Sequence, residues 1–254
     1  MKINISKLFK KKKTASSSRE NTFLISEDTP FAVLESYKTS RTNIMFSLPK
    51  TDNGKVILVT SSEPSEGKTT TSINIAYTFA QTNAKVVLVD CDLRKPRIHR
   101  YLKFDRDKGV SNVLCGFNTL DEVIHKNVIG NLDCISSGEI PTNSTELLMS
   151  DEMGIMIEEL SKRYDYVFID TPPVMTVTDA MIIAPKCNGT IVVVKQEQST
   201  YDMLDKTIDT LKQSGVKILG FMLNSSVESS KSFWKTTKKY KYSYNYMNTY
   251  EDNE

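Results

Sequence analysis

The stretch Ser62-Glu63-Pro64-Ser65-Glu66-Gly67-Lys68-Thr69-Thr70 has the residue types and spacing to hold phosphate. It lies between an apolar run, Val56-Ile57-Leu58-Val59, and a segment whose pattern predicts a helix from Thr70 to Gln81. A buried strand that turns sharply into a helix leaves several backbone N–H groups unpartnered and aimed at one spot, which is an anion site. There Gly67 lets the backbone approach closely, Lys68 sets a cation against the outer phosphates, and the Thr69 hydroxyl can ligate magnesium. Ser65, Glu66 and Thr70 belong to the same cradle. The pattern is that of a Walker A loop, with Ser62 where G-x-x-x-x-G-K-[ST] has its first glycine.

Two further segments carry carboxylates. The run Lys85-Val86-Val87-Leu88-Val89 predicts a buried parallel strand that ends in Asp90-Cys91-Asp92-Leu93-Arg94-Lys95-Pro96. Ligands of open α/β sheets bind at the carboxyl ends of the strands, so both acids belong beside the phosphate loop. Residues i and i+2 of an extended segment point the same way. One of Asp90 and Asp92 can then take a proton from an attacking hydroxyl while the other holds magnesium through water. Tyr166-Val167-Phe168-Ile169-Asp170-Thr171-Pro172-Pro173 has the form of a Walker B segment, with Asp170 opposite Thr69 across the magnesium site. Asn224 ends the last strand on the same edge, where its amide either reaches a nucleotide base or simply closes a turn. His99 and His125 have no Ser or Cys partner at a recognisable spacing and read as surface or boundary residues.

The elements that must position these groups alternate. Thr29 is suited to N-cap a helix with Pro30 in its first turn, ending before Pro49. After the second strand come a short helical segment around Leu120 to His125, a weaker strand Leu132 to Ser136, and a helix from Ser144 towards Tyr164 with Gly154 in its middle. Asp179 to Lys186, Thr190 to Lys195, Thr200 to Ser214 and Val216 to Leu223 continue as helix, strand, helix and strand. Such alternation means parallel β-α-β units with right-handed crossovers. The expected fold is a single α/β domain of the P-loop NTPase type, a mostly parallel sheet flanked by helices, over 29–228 with disordered termini.

Composition agrees: among 254 residues, 39% are hydrophobic and 25% charged, as in a globular chain with a sizeable core. A net charge of +2 is too small to imply a nucleic-acid partner. Cys91, Cys115, Cys134 and Cys187 have no zinc-ligand spacing and read as reduced thiols. No apolar run is long enough to span a bilayer, so a cytoplasmic chain is expected.

The ends differ from the middle. Residues 1–28 form a basic arm with Leu8, Phe9 and the run Lys10 to Lys13, suited to anionic lipid or else a solvated tail. In the 29–48 helix, Glu35, Lys38 and Arg41 recur every three residues along one side, as an intrahelical ion pair or a contact stripe. In the segment 229–254, Trp234 follows Phe233, and Tyr240, Tyr242, Tyr244, Tyr246 and Tyr250 are spaced mostly by two, as in an edge strand or a mobile tail. Tyrosines clustered beside a nucleotide site suggest a phosphate acceptor.

These segments together resemble the bacterial tyrosine kinases of capsule and exopolysaccharide operons, the BY-kinases. The resemblance rests on Ser62 to Thr69, on Val89 to Pro96 as the Walker A prime segment, on Phe168 to Pro173 and on the tyrosine cluster. It implies ATP- and magnesium-dependent autophosphorylation of the tail, with Lys68 and Thr69 on phosphate and metal, Asp90 as base, and Asp92 and Asp170 organising magnesium. It also implies a ring of protomers built through E-x-x-R-x-x-R, with each tail entering a neighbour's site and a tyrosine phosphatase resetting it. Here Lys38 replaces the middle arginine and lacks its planar fork. Ser65 stands where the family often has glycine, a cost if the loop needs φ > 0. The shape resembles the Gram-positive type, which depends on a membrane-embedded activator, the polysaccharide co-polymerase, through its cytoplasmic segment. Two rivals are a partition or septum-positioning ATPase, whose second loop lysine is Glu63 here, and a nucleotide-binding scaffold without phosphate transfer.

Overall fold

Apolar runs rich in valine and isoleucine make the centre of the sheet: β1 (Lys55–Ser61), β2 (Val86–Asp90), β5 (Tyr166–Asp170) and β6 (Gly189–Lys195). Both of their faces are covered, which is why they read as continuous hydrophobic stretches. The computed structural model describes residues 24–224. Leu8, Phe9, Lys10 to Lys13, Trp234 and the five tyrosines from Tyr240 to Tyr250 lie outside the described residues.

With β3 (Ile124–Ile129), β4 (Leu132–Ile135) and β7 (Ile218–Asn224), the described strands form one sheet in the order β3-β4-β2-β5-β1-β6-β7. All neighbours are parallel except β3 and β4. On one face lie α1 (Phe31–Ser47) and α2 (Lys68–Ala80), packed on Ile57, Val59, Leu88 and Phe168. The other face, Val56, Leu58, Val87, Val167 and Ile169, is covered by α6 (Ser144–Met149), α7 (Asp151–Arg163), α8 (Asp179–Ile183) and α9 (Tyr201–Gln213). Short helices α3 (Ile98–Leu102), α4 (Val110–Leu114) and α5 (Leu120–Val123) follow β2. The mostly parallel sheet flanked by helices is the one expected from the sequence.

Several boundaries differ for identifiable reasons. Ile124 and His125 extend no helix; they begin β3, an antiparallel edge strand whose bulge obscures the period of two. The stretch from Ser144 is broken in two at extended Ser150, and the second helix runs on through Gly154. Thr29 does not cap α1: its hydroxyl accepts the Ser26 N–H at 2.8 Å, closing a turn, and Pro30 occupies the cap position. Within the segment assigned to the arm, Ile25 is buried, and its N–H donates to Asn74 Oδ1 of α2 at 2.9 Å.

Candidate active site

Strand order brings the three chemical segments together. β2, β5 and β1 are neighbours, and their carboxyl ends carry Asp90, Asp170 and the phosphate loop. In the β2–β5 register Asp90 lies opposite Asp170.

The loop is braced from several sides. Thr207 of α9 donates its hydroxyl to Ser62 Oγ at 2.9 Å, so the serine at the glycine position ties the loop to a helix. Ser65 has φ 69° and Gly67 φ 87°, both in the left-handed region. The loop therefore needs φ > 0 at Ser65, the cost foreseen from its sequence. Glu66 is buried, and its carboxylate accepts the Glu63 N–H at 2.9 Å and the Ser199 hydroxyl. Its side chain thus shapes the loop, leaving its backbone for phosphate. Asn224 donates its amide to Glu66 O at 3.1 Å and lies against Gly67, so it braces the loop. Thr70 is half-buried in the first turn of α2.

Around the start of α2, Lys68 Nζ lies 3.1 Å from Asp170 Oδ2 and 3.5 Å from Asp92 Oδ2. Thr69 donates its hydroxyl to Asp170 Oδ2 at 2.8 Å, and Ser72 donates to Asp170 Oδ1 at 2.8 Å. Asp92 Oδ1 accepts the Lys95 N–H at 2.9 Å. Asp90 is fully buried: Oδ1 accepts the Asp92 N–H, and Oδ2 accepts those of Arg97 and Ile98, all at 3.2 Å.

Charge is unbalanced here, with three carboxylates around one ammonium. Burial and the nearby Asp170 charge push Asp90 up to about 8, against the pull of Lys68. Burial also raises Asp170, while Lys68 and the Ser72 and Thr69 hydroxyls oppose it. Burial alone would lower Lys68, but Asp170, Asp92 and Asp90 together hold it above its ordinary value. Thr69, Asp92 and Asp170 are hard oxygen donors in a site with excess negative charge, a set that fits magnesium. Among the described residues no three His, Cys, Asp or Glu side chains form a closed metal cage. Magnesium needs none, because it keeps several waters and takes only one or two carboxylates beside phosphate oxygens.

Some residues at the site were not singled out from the sequence. Ser72 looked like one more small residue in a helix start, although its spacing of four from Lys68 places it on the same face. Arg94 pairs with both oxygens of buried Asp179, Nε to Oδ2 at 2.9 Å and Nη2 to Oδ1 at 3.1 Å, and also reaches Thr145 Oγ1 at 2.7 Å. It thereby joins the segment after β2 to α8 and α6.

The stripe on α1 does not stay together. Lys38 pairs with Glu35 at 2.7 Å, while Arg41 turns inward and donates Nη1 to Thr78 O of α2 at 2.6 Å.

A family model described as an AAA domain matches residues 54–220. The tyrosine-protein kinase YwqD of Bacillus subtilis is 35% identical over 198 residues, covering 78% of this chain and 83% of its own length. The tyrosine-protein kinase wzc of Salmonella typhimurium is 35% identical over 192 residues, 76% of this chain, but the match spans only 27% of that protein's length. About a quarter is likewise the share spanned in other long relatives, such as the tyrosine-protein kinase ptk of Acinetobacter johnsonii at 27%. Among solved structures, the kinase domain of the Escherichia coli tyrosine kinase ETK superposes with a TM-score of 0.73 at 32% identity, covering 76% of this chain and 75% of that one. With a relative this similar along most of both chains, and a solved tyrosine kinase domain of the same fold, the chain belongs to the family of bacterial tyrosine-protein kinases.

Proposed function

We propose that the chain is an ATP-dependent protein-tyrosine kinase. It phosphorylates in trans the tyrosines of its own C-terminal segment, Tyr240, Tyr242, Tyr244, Tyr246 and Tyr250, and so regulates synthesis and export of capsular or extracellular polysaccharide. The observation that carries this reading is the convergence of Lys68, Asp92 and Asp170 with buried Asp90 at the mouth of the phosphate loop.

The chemistry follows from those groups. The backbone from Ser65 to Thr70 cradles the phosphates, and Lys68 neutralises the outer ones. Magnesium, when bound, supplies positive charge against the phosphate oxygens, and Thr69, Asp92 and Asp170 are the residues to hold it. Transfer forms a bond from the tyrosine oxygen to the γ-phosphorus and breaks the bond from that phosphorus to the departing ADP oxygen. The phenol proton passes to the ionised form of Asp90, a form favoured as pH approaches and passes about 8 and a stronger base than an ordinary carboxylate. Asp90 is fully buried, with Oδ2 held by the Arg97 and Ile98 N–H groups, so the incoming phenol reaches it only after a local rearrangement.

Glu35 and Lys38 are offered to a neighbouring protomer in a ring of unphosphorylated chains, with Arg41 supporting their helix from within. Among the described residues no helix is long and apolar enough to cross a membrane. A membrane-embedded activator recruits the kinase from the cytoplasm to the inner face of the membrane, and a tyrosine phosphatase resets the tail.

The test is intact mass after incubation with ATP and magnesium, with and without the activator's cytoplasmic peptide, for the wild type, Lys68→Met and a variant with all five tail tyrosines changed to Phe. Phosphate additions that map to Tyr240 through Tyr250 and vanish in both variants are expected. ATP hydrolysis with no added mass would overturn the kinase reading in favour of a partition-type ATPase.

A further inference from the structure

Ser72 lies one turn into α2, four residues after Lys68, and is fully buried. A serine inside a helix ordinarily turns its hydroxyl back on the carbonyl four residues earlier. That acceptor is present, with Lys68 O 3.0 Å from Ser72 Oγ. The same hydroxyl also faces Asp170 Oδ1 at 2.8 Å. It has one proton, and a carboxylate is the stronger acceptor.

The two oxygens of Asp170 are therefore held by different groups. Oδ2 accepts Thr69 and lies beside Lys68, on the side of the phosphate loop. Oδ1 is held by Ser72 on the side of the helix. A carboxylate gripped at one oxygen cannot spin about its last bond, so the other oxygen keeps its direction. Without the Ser72 hydroxyl, Oδ1 loses this donor at a buried position, and the carboxylate is free to turn both oxygens towards Lys68.

We propose that Ser72 is a positioning residue for metal-dependent nucleotide binding: its hydroxyl fixes Asp170 so that Oδ2 is presented, beside Thr69, to the phosphate loop. The inference rests on the reading of Thr69 and Asp170 as the metal side of a phosphate-transfer site. It does not rest on which acceptor receives the phosphate.

The experiment measures binding of a fluorescent ADP analogue to the full chain across a magnesium titration and again in EDTA, for the wild type, Ser72→Ala and Ser72→Thr. Groups that orient a metal ligand typically change metal affinity by roughly tenfold or more when removed. Ser72→Ala is therefore expected to raise the half-saturating magnesium concentration roughly tenfold while leaving binding in EDTA unchanged. Ser72→Thr, which keeps the hydroxyl, is expected to follow the wild type. An unchanged magnesium dependence in Ser72→Ala would overturn the proposal, as would equal weakening with and without metal, or a wild type indifferent to magnesium. If Ser72→Ala does not fold, as judged by circular dichroism, Ser72→Cys takes its place. That weaker donor of similar size must give an intermediate shift, and no shift overturns the proposal. Because binding needs no phosphate transfer, failure here is separable from failure of the kinase reading, which shows only in the mass of the ATP-treated chain.

Discussion

Asp90 faces Asp170 across the β2–β5 ladder, and both carboxyls are buried at the carboxyl end of the sheet. Parallel pairing in this register gives two acids one shared environment. Lys68, from the helix that follows β1, is the cation that opposes the rise in both. The site is thus an electrostatic compromise whose excess negative charge is suited to a divalent cation.

The first prediction concerns pH. Asp90 is raised to about 8 in the fold, by burial and by Asp170, against about 3.9 for an aspartate in an unfolded chain. Between those values the folded state holds a proton that the unfolded state has released. Stability from this group is therefore greatest in acid and falls as pH rises through the window. In metal-free buffer, the melting temperature of the wild type should decline from about pH 5 to about pH 8, and Asp90→Asn should flatten that decline. Parallel profiles for the two proteins would show that Asp90 ionises freely in the fold.

A second prediction follows from the loop backbone. Ser65 is held at φ 69°, a region that side-chain-bearing residues enter at a cost and glycine enters freely. Ser65→Gly should stabilise the metal-free chain by roughly 0.5–1 kcal/mol, the strain relieved less the extra freedom of glycine when unfolded. Urea denaturation measures it, and destabilisation by a similar amount would mean that the Ser65 side chain contributes more than its backbone costs.

The strands and the acids at their ends were legible because a buried parallel strand writes itself as an unbroken apolar run, and Asp90 and Asp170 terminate two of them. β3 was hidden because an edge strand with a bulge alternates imperfectly. Long-range partners left no local trace. Nothing near Ser62 announces Thr207, and nothing near Asp170 announces Ser72, since each bond joins segments about a hundred or more positions apart. The bond of Arg41 was hidden for the same reason: spacing of three along a helix places it with Glu35 and Lys38, and only the fold brings Thr78 O of α2 beside it.

A third prediction separates those helix residues. The Glu35–Lys38 pair is partly exposed and should contribute no more than about 1 kcal/mol to the fold. Arg41 donates to a carbonyl at the C-terminal end of α2, where a cation is favoured, and its loss should cost about 1.5–3 kcal/mol. Glu35→Ala with Lys38→Ala is expected to shrink the assembly by light scattering while the melting temperature barely moves. Arg41→Ala should lower the melting temperature first. The reverse pattern would return Arg41 to the interface between protomers.

The last prediction tests the brace on the phosphate loop. Gly67 has φ 87°, and a β-carbon there would sit 1.9 Å from Asn224 Nδ2, so Gly67→Ala incurs both backbone strain and a clash. Asn224→Ala alone removes one hydrogen bond, to Glu66 O, at about 1 kcal/mol. In the double variant the clash disappears and only the strain of roughly 1–2 kcal/mol remains, so the two losses should fall short of additivity by about 1 kcal/mol or more. Urea denaturation of the four proteins gives the coupling, and ADP binding reports the loop. Strict additivity would mean that the Asn224 side chain swings aside without cost. In that case Asn224 would no longer hold the loop, and its amide would be free to contact the nucleotide instead.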